Sequence, residues 1–319
     1  MQVHRNINEL PRIRNAVVTI GTFDGVHTGH QTIISQLKDE ARQTGGETVL
    51  ITFHPHPRKV IAESRPIQLI NTLDEKIELL DERGLDHLVI VPFTKEFSNL
   101  SADEYVTDFL IGKFHPHTVI IGYDHRFGHD RKGDYRLLEE YAAKLQFRLK
   151  EISPLVIDTI TVSSTRIREA IRSGDIQTAH ELLGYDFFFE GEVIAGNKLG
   201  RQLGYPTANL ELNEEEKLVP GDGIYAVEAE LKSSGLEAGP DSYREKLGGM
   251  MSIGIRPTIG DGKRMIEVNL FNFDKEIYGK MLRVYVKAWM RPEVKFNGLE
   301  ALKEQLAKDE VEARTILSN

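Results

Sequence analysis

The chain has 319 residues, 40% hydrophobic and 28% charged, with 40 basic and 49 acidic side chains and a net charge of −9. At about 150 residues per domain that length argues for two domains; the composition excludes a disordered, collagenous or fibrous chain, and the acidic balance disfavours a nucleic-acid partner. Cysteine is absent, which removes disulfides, zinc–thiolate sites and thiol nucleophiles, while the lack of an apolar run near ~18 residues or of a secretory signal leads us to expect a cytoplasmic protein with no membrane partner.

The first half alternates apolar runs with helical periodicity. Strands are expected over Ala16–Gly21, Glu47–Phe53, His87–Pro92 and Thr118–Gly122, and helices over His30–Gln43, Asp74–Arg83 and Ala102–Ile111. That rhythm predicts a parallel sheet flanked by helices, with ligands beyond the carboxyl ends of the strands. All eleven histidines lie at or before His180, so the two halves differ chemically.

After the first strand comes GTFDGVHTGH, Gly21 to His30, a glycine-rich turn feeding a helix start next to His30. The glycines let the backbone approach a ligand closely, and the helix start offers free N–H groups and partial positive charge to a phosphate. His27 and His30 can add donors as charge moves onto a leaving pyrophosphate. A metal or a structural role also suits two histidines three apart; no third ligand is evident, and the strand–turn–helix setting favours phosphate.

Further along, Ser163-Ser164-Thr165-Arg166-Ile167-Arg168 places hydroxyls ahead of a helix over Thr165–Arg172. Either serine suits an N-cap, and Arg168 is the candidate for a triphosphate contact. Thr52–Pro57 and Gly122–Gly128 follow strands at the ligand edge, where Arg126, Arg131 and Lys132 suit a phosphate. A second short helix over Ile176–Leu183 leads to a domain boundary near residue 184, giving domains of 1–183 and 184–319.

From about Phe187 the pattern changes to closely spaced strands, Ile224–Leu231, Leu247–Ile253, Met265–Phe273 and Met281–Trp289, finished by an amphipathic helix over Gly298–Leu317. Short antiparallel strands suggest a small closed barrel or a sandwich. Ser233–Arg244 reads as a polar hairpin insertion, and Asn213–Lys217 as a solvated acidic face. Gly196, Gly200 and Gly204, with Lys198 and Arg201 between them, make a basic loop able to fold over phosphates. Thr207 and Asn209 offer two oxygens on one side of an extended segment, suited to magnesium shared with nucleotide phosphates; a glycine-rich turn before a strand is the plainer alternative. Alternation puts Glu267 opposite Ile266, Val268 and Leu270, so it is solvent-facing or functional. In a pocket it suits a general base for a hydroxyl attacking a γ-phosphate, with Glu293 and Asp274 as rivals.

GTFDGVHTGH together with SSTRIR resembles the HxGH nucleotidyltransferase superfamily, whose members transfer AMP from ATP to a phosphate; the related class I aminoacyl-tRNA synthetases carry a KMSK-like segment that is missing here. TFHPHP around His54 and GYDHRFG around Arg126 resemble the FMN-binding loops of bacterial FAD synthetases, with His125 where the family pattern has an aromatic residue. GNKLGRQLGYPTANL, SIGIRPTIG, EVNLFNFDKEIYGK and RPEVKF, in that order, resemble the riboflavin kinase domain, a six-stranded barrel. Over nearly the whole chain the resemblance is to the bacterial bifunctional riboflavin kinase/FMN adenylyltransferase family.

The resemblance implies a Rossmann-like α/β nucleotidyltransferase domain followed by a six-stranded antiparallel β-barrel kinase domain with a C-terminal helix. It implies ATP as co-substrate with Mg2+, riboflavin, FMN and FAD as flavin ligands, and Glu267, His27 and His30 as catalytic. ATP or phosphate would meet Gly21, Phe23, Asp24, Gly29, Ser163, Ser164, Thr165 and Arg168 in the first half, and Gly196, Lys198, Gly200, Arg201, Thr207 and Asn209 in the second. Thr207 and Asn209 would also ligate the metal, and flavin would meet Phe53, Pro55, His56, Asp124, Arg126, Phe127, Arg291 and Phe296. An adenylyltransferase for another phosphorylated metabolite with a non-catalytic flavin-binding barrel is the runner-up, and a flavin-responsive regulator the third reading. Oligomeric state is left open.

Overall fold

The computed structural model describes residues 1–61, 67–122, 125–152, 163–196, 199–232, 246–255 and 264–318. Its contacts divide the chain into two compact units, Met1–Ser164 and Thr165–Asn319.

The first unit is built on six parallel strands, β1 (Gln2–His4), β2 (Val17–Ile20), β3 (Thr48–His54), β4 (His87–Pro92), β5 (Thr118–Gly122) and β6 (Arg148–Ile152). They lie in the order β1-β4-β3-β2-β5-β6. Every residue of β2 is buried, as are the first five of β3 and β4, which is why they read as continuous apolar runs of a sheet covered on both faces. The periodicity argument misses both edges: β6 reads Arg-Leu-Lys-Glu-Ile and fully buries only Ile152, so no apolar run marks it. The first helix begins at Thr28 and runs to Thr44 with His27 as N-cap, two residues ahead of the expected start. The helix expected over Ala102–Ile111 is a short α turn, Ala102–Glu104, continued by a π-helical stretch over Tyr105–Ile111.

The second unit holds β7 (Phe188–Ile194), β8 (Thr207–Glu211), β9 (Gly223–Leu231), β10 (Leu247–Ile255), β11 (Arg264–Leu270) and β12 (Met281–Arg291). These close into an antiparallel barrel in the order β10-β11-β8-β7-β12-β9, so the barrel, and not a sandwich, is the outcome. β11 stops at Leu270 instead of reaching Phe273 because Asn272 turns the backbone into the left-handed region at φ 55°. The Leu299–Leu317 helix lays Leu306, Ala313, Ile316 and Leu317 on Ala226, Met250 and Phe271 of the barrel wall. The helices Ser164–Ser173 and Ile176–Leu183 also contact the barrel: the Gly221 N–H donates to the Ile171 carbonyl, and Ile176–Leu183 packs against β12. The expected hairpin over Ser233–Arg244 lies outside the described residues. Within the expected acidic face Lys217 is buried, its ammonium over the rings of Phe187 and Phe188.

Candidate active sites

In the first unit β3, β2 and β5 are neighbours, so the segments leaving their carboxyl ends emerge side by side where the strand order reverses, the usual ligand crevice of such sheets. The turn after β2 is strained: Phe23, Gly25 and Val26 take φ of 46°, 92° and 37°, a conformation that a β-branched valine avoids. Such strain persists only where the surroundings over-determine it. Here Lys76 Nζ and Thr52 Oγ1 both donate to the Thr22 carbonyl, at 2.8 and 3.1 Å, and Gln31 Nε2 donates to the Val26 carbonyl at 2.9 Å. The Asp24 carboxylate, 1% exposed, accepts from the Ile70 and Asn71 N–H groups at 3.0 and 3.4 Å. Ser164 is the first residue of its helix, and its hydroxyl donates to the Asp24 carbonyl at 3.0 Å, joining the two sequence motifs instead of capping.

This turn presents His27 and His30 as a stacked pair, ring centres 3.6 Å apart and planes 16° apart, with Phe23 4.6 Å from His30. His27 Nδ1 accepts the His30 backbone N–H at 3.3 Å. That lone pair is therefore in use, and in the neutral ring the His27 proton resides on Nε2. Burial first, then the His27 ring and the Lys76 ammonium, hold the His30 imidazole well below the usual histidine range, so it is uncharged at neutral pH. Gly29 lies under the His27 ring, where a Cβ would come within 3.3 Å, and a Cβ at Gly21 would come within 3.0 Å of the Phe23 ring. Among the described residues no group of three His, Cys, Asp or Glu side chains is placed to hold a metal, so the metal alternative for the histidine pair finds no third ligand there.

The expected flavin loops occupy the same edge with unequal freedom. Phe53 packs edge-on against Phe93 at 5.5 Å, and His56 Nδ1 accepts the Arg58 N–H at 3.2 Å next to Pro55. Arg126 pairs with Asp134 at 3.7 Å. Phe127 is 5% exposed and stacks on Tyr105 at 4.8 Å, with Gly133 so close that a Cβ would lie 2.3 Å from its ring. Asp124 lies outside the described residues. Ser163 and Thr165 are exposed at the start of the Ser164–Ser173 helix, and Arg168, counted with the second unit, is buried on it.

In the second unit β8 and β11 pair Asn209 with Glu267 and Thr207 with Asn269, while β10 and β11 pair Ser252 with Glu267 and Met250 with Asn269. Directly paired residues share a face, so all of these look outward beneath the terminal helix that covers Met250. A cavity of about 200 Å³ opens there, with Glu267, Thr207, Asn269, Arg291, Glu293 and Phe296 in its lining. A second cavity of about 520 Å³ is lined by Arg201, Asp274, Lys275, Glu276 and Tyr278, and Thr207 lines both. The rival carboxylates thus separate: Asp274 faces the second cavity, and Glu293, in the first, accepts the Ser252 hydroxyl at 2.8 Å. Arg291 forms a two-pronged pair with Asp309 of the terminal helix, at 2.8 and 2.6 Å, and its guanidinium lies 5.9 Å from the Phe296 ring centre.

The stretch expected as a glycine-rich loop, in which Leu199–Gln202 forms a turn of helix, presses on these groups. A Cβ at Gly196 would lie 2.0 Å from Asn209 Nδ2, and one at Gly200 2.3 Å from the Tyr205 carbonyl and 3.4 Å from Thr207 Oγ1. Asn209 is 5% exposed, yet among the described residues its Oδ1 has no hydrogen-bond partner. A buried amide oxygen left open beside a threonine hydroxyl is a donor set that suits a hard, oxygen-seeking cation completed by phosphates and water. Lys198 lies outside the described residues.

Residues 10–166 match the FAD synthetase family model and residues 183–317 the riboflavin kinase model. The chain belongs to the bifunctional riboflavin kinase/FMN adenylyltransferase family. Relatives of that description include proteins of Listeria monocytogenes, 37% identical over 95% of this chain and 93% of that protein, and of Buchnera aphidicola subsp. Schizaphis graminum, 36% identical over 97% and 96%. The Escherichia coli K12 protein is 33% identical over 97% and 95%. A crystal structure described as a macrolide-efflux protein from Streptococcus pneumoniae superposes over 98% of both chains with a TM-score of 0.85 at 30% identity. Among the described residues no helix is long and apolar enough to cross a membrane. ATP is the co-substrate of both activities by which the family is named.

Sequence reasoning missed Lys76, Ser252, Asn269 and Asp309, and it placed Thr52 in a ligand-edge segment without the contact to Thr22 that the structure gives it. Asn269, two positions beyond Glu267 on one strand face, carried a usable signal. Lys76 and Asp309 sit within charged helical stretches and carried none.

Proposed function

We propose that the chain makes FAD from riboflavin in two ATP-dependent steps. The second unit would transfer the γ-phosphoryl group of ATP to the riboflavin 5′-hydroxyl, giving FMN and ADP; the first would transfer AMP from ATP to the FMN phosphate, releasing pyrophosphate. The observation that carries the reading is that Thr207 lines two cavities while Glu267 lines one of them, which suits flavin on one side, nucleotide on the other and a carboxylate at the join.

For the kinase step, Glu267 accepts the proton of the attacking hydroxyl, and most of the rate comes from alignment and charge neutralisation. Arg291, Phe296 and the Leu299–Leu317 helix border the flavin, and the Gly196–Arg201 loop with Lys198 and Gly200 covers the phosphates. Thr207 and Asn209 would hold Mg2+, whose charge offsets that of the phosphates when bound.

For the adenylyl step the FMN phosphate is already a nucleophile and needs no base. The N–H groups at the start of the Thr28–Thr44 helix, the His27 Nε2 proton, His30, Ser163, Thr165 and Arg168 stabilise charge on the departing pyrophosphate. Gly21 and Gly29 allow the approach; Phe23, Asp24 and Ser164 shape the turn. Phe53, Pro55, His56, Asp124 and Arg126 serve the flavin, with Phe127 setting the loop from beneath. We also propose that the functional boundary falls at 183/184, next to the start of the matched kinase segment, and that both steps occur in the cytoplasm.

The test is incubation with riboflavin, ATP and magnesium, with flavins resolved by chromatography. FMN followed by FAD is expected; unchanged riboflavin refutes the kinase step, and FMN that never becomes FAD refutes the adenylyl step.

A further inference from the structure

Lys76 is on the Leu73–Glu82 helix and is 7% exposed. A buried ammonium loses several kcal/mol of hydration, and its place in the first turns of a helix sets it against the positive end of the helix dipole. Stability alone would be better served by an apolar side chain of similar length. The geometry shows what the charge is turned toward: Nζ donates to the carbonyl of Thr22 at 2.8 Å, the residue just ahead of the turn in which Phe23, Gly25 and Val26 are left-handed. Thr52, reaching from β3, shares that carbonyl. The turn they hold leads into His27 and His30. Burial lowers the Lys76 pKa from the ordinary lysine value, and the Asp24 carboxylate opposes that shift. His30 in turn faces His27 from its own helix cap, Phe23 from the turn and Lys76 from the neighbouring helix.

We propose that Lys76 is a positioning residue for adenylyl transfer: its hydrogen bond to the Thr22 carbonyl holds the strained turn, and with it the His27–His30 pair, in the shape that receives the nucleotide phosphates. It touches no substrate. Its ammonium also sits where it discourages a proton on His30, keeping that ring an uncharged donor. The inference rests on the first unit being the adenylyl-transfer site, and one of its readouts does not depend on turnover.

The experiment uses the full chain with Lys76→Met and Lys76→Arg. In Lys76→Met the kcat for FMN to FAD is expected to fall tenfold or more, the scale of a sub-ångström to ångström misplacement at a reacting centre, with KM for FMN within threefold of the parent. Riboflavin phosphorylation in the same chain should stay within twofold, and Lys76→Arg, which keeps a donor and a charge, should recover most of the lost rate. Independently of turnover, the His30 ring followed by NMR of 13C-labelled histidine should titrate at higher pH in Lys76→Met, since a facing cation has gone. A kcat within twofold of the parent overturns the proposal, as does an equal fall in both activities. Should Lys76→Met lose its first melting transition, Lys76→Gln is read by the same criteria. A parent chain that makes no FAD refutes the adenylyl reading instead, and an unmoved His30 titration then overturns the role given to Lys76.

Discussion

Replacing Gly196 by alanine tests the kinase site at its tightest point. Gly196 does not use a left-handed φ, so the substitution acts by contact rather than by backbone strain. The new Cβ would lie 2.0 Å from Nδ2, 2.6 Å from Cγ and 3.0 Å from Oδ1 of Asn209. An ordinary contact is ~3.5 Å or more, so either the loop or the carboxamide must move by more than about 1 Å. Rotating Asn209 off its rotamer costs about 0.5–1.5 kcal/mol and aims its open oxygen elsewhere. Displacing the loop shifts whatever phosphates it covers, and an ångström of misplacement costs about 100-fold in rate, roughly 2.7 kcal/mol of barrier. We expect FMN formation to slow by about two orders of magnitude while FMN-to-FAD conversion in the same chain is unchanged and the barrel melts only a few degrees lower. Initial rates of both conversions, resolved chromatographically, provide the measurement. A kinase kcat within threefold of the parent would show that the loop does not bear on Asn209 during turnover, and the argument for phosphate cover would fall.

Glu267→Gln should lower FMN formation by about 10²–10⁴, the usual worth of a general base, and leave adenylyl transfer intact; retention of a tenth of the kinase rate would exclude Glu267 as the base. His30→Ala should do the reverse, with a loss of about 10²-fold or more in FAD formation, as for removal of one preorganised donor, and equal losses in both activities would contradict separate sites. Asp309→Asn leaves Arg291 without its partner, and since Asp309 is 1% exposed the cost is about 3 kcal/mol or more, read as a lower barrel melting temperature and a raised KM for riboflavin; an unchanged KM would dissociate the terminal helix from the flavin cavity. His30 has a folded pKa well below the ordinary 6.5, so between those values the unfolded chain binds the extra proton. Stability of the first unit should therefore be fully present above pH 6.5 and fall on acidification through the interval, by at most about 1.4 kcal/mol per pH unit for this one proton. His4, also in the first unit, has a lowered value of the same sign, so His30→Ala should reduce the slope in denaturant titrations at pH 7 and pH 5.5 without abolishing it; an unaltered slope would remove His30 as a contributor.

Strand and helix order in the first unit is local physics. Continuous apolar runs such as Val17–Ile20 and Val49–Ile51, spaced by amphipathic helices, have few ways to bury themselves other than a parallel sheet with helices on both faces, and the glycine-rich turn before His27 and His30 then has to emerge at the carboxyl edge. The motifs of the second unit are likewise contiguous stretches, legible because glycine, threonine, asparagine and glutamate at strand spacing restrict what the chain can do. What stayed hidden depends on residues far apart in sequence. The pairing of Asn209 with Glu267, the pressure of Gly196 on Asn209 and the clasp of Asp309 on Arg291 all follow from strand register and helix docking, which no local pattern specifies. Lys76 is the sharpest case. In the sequence it is one charge in Leu-Asp-Glu-Lys-Ile, indistinguishable from a solvated helix face; only the packing of its helix against the turn after β2 turns it inward, because burial and a single carbonyl acceptor are properties of the assembled core and not of the residue.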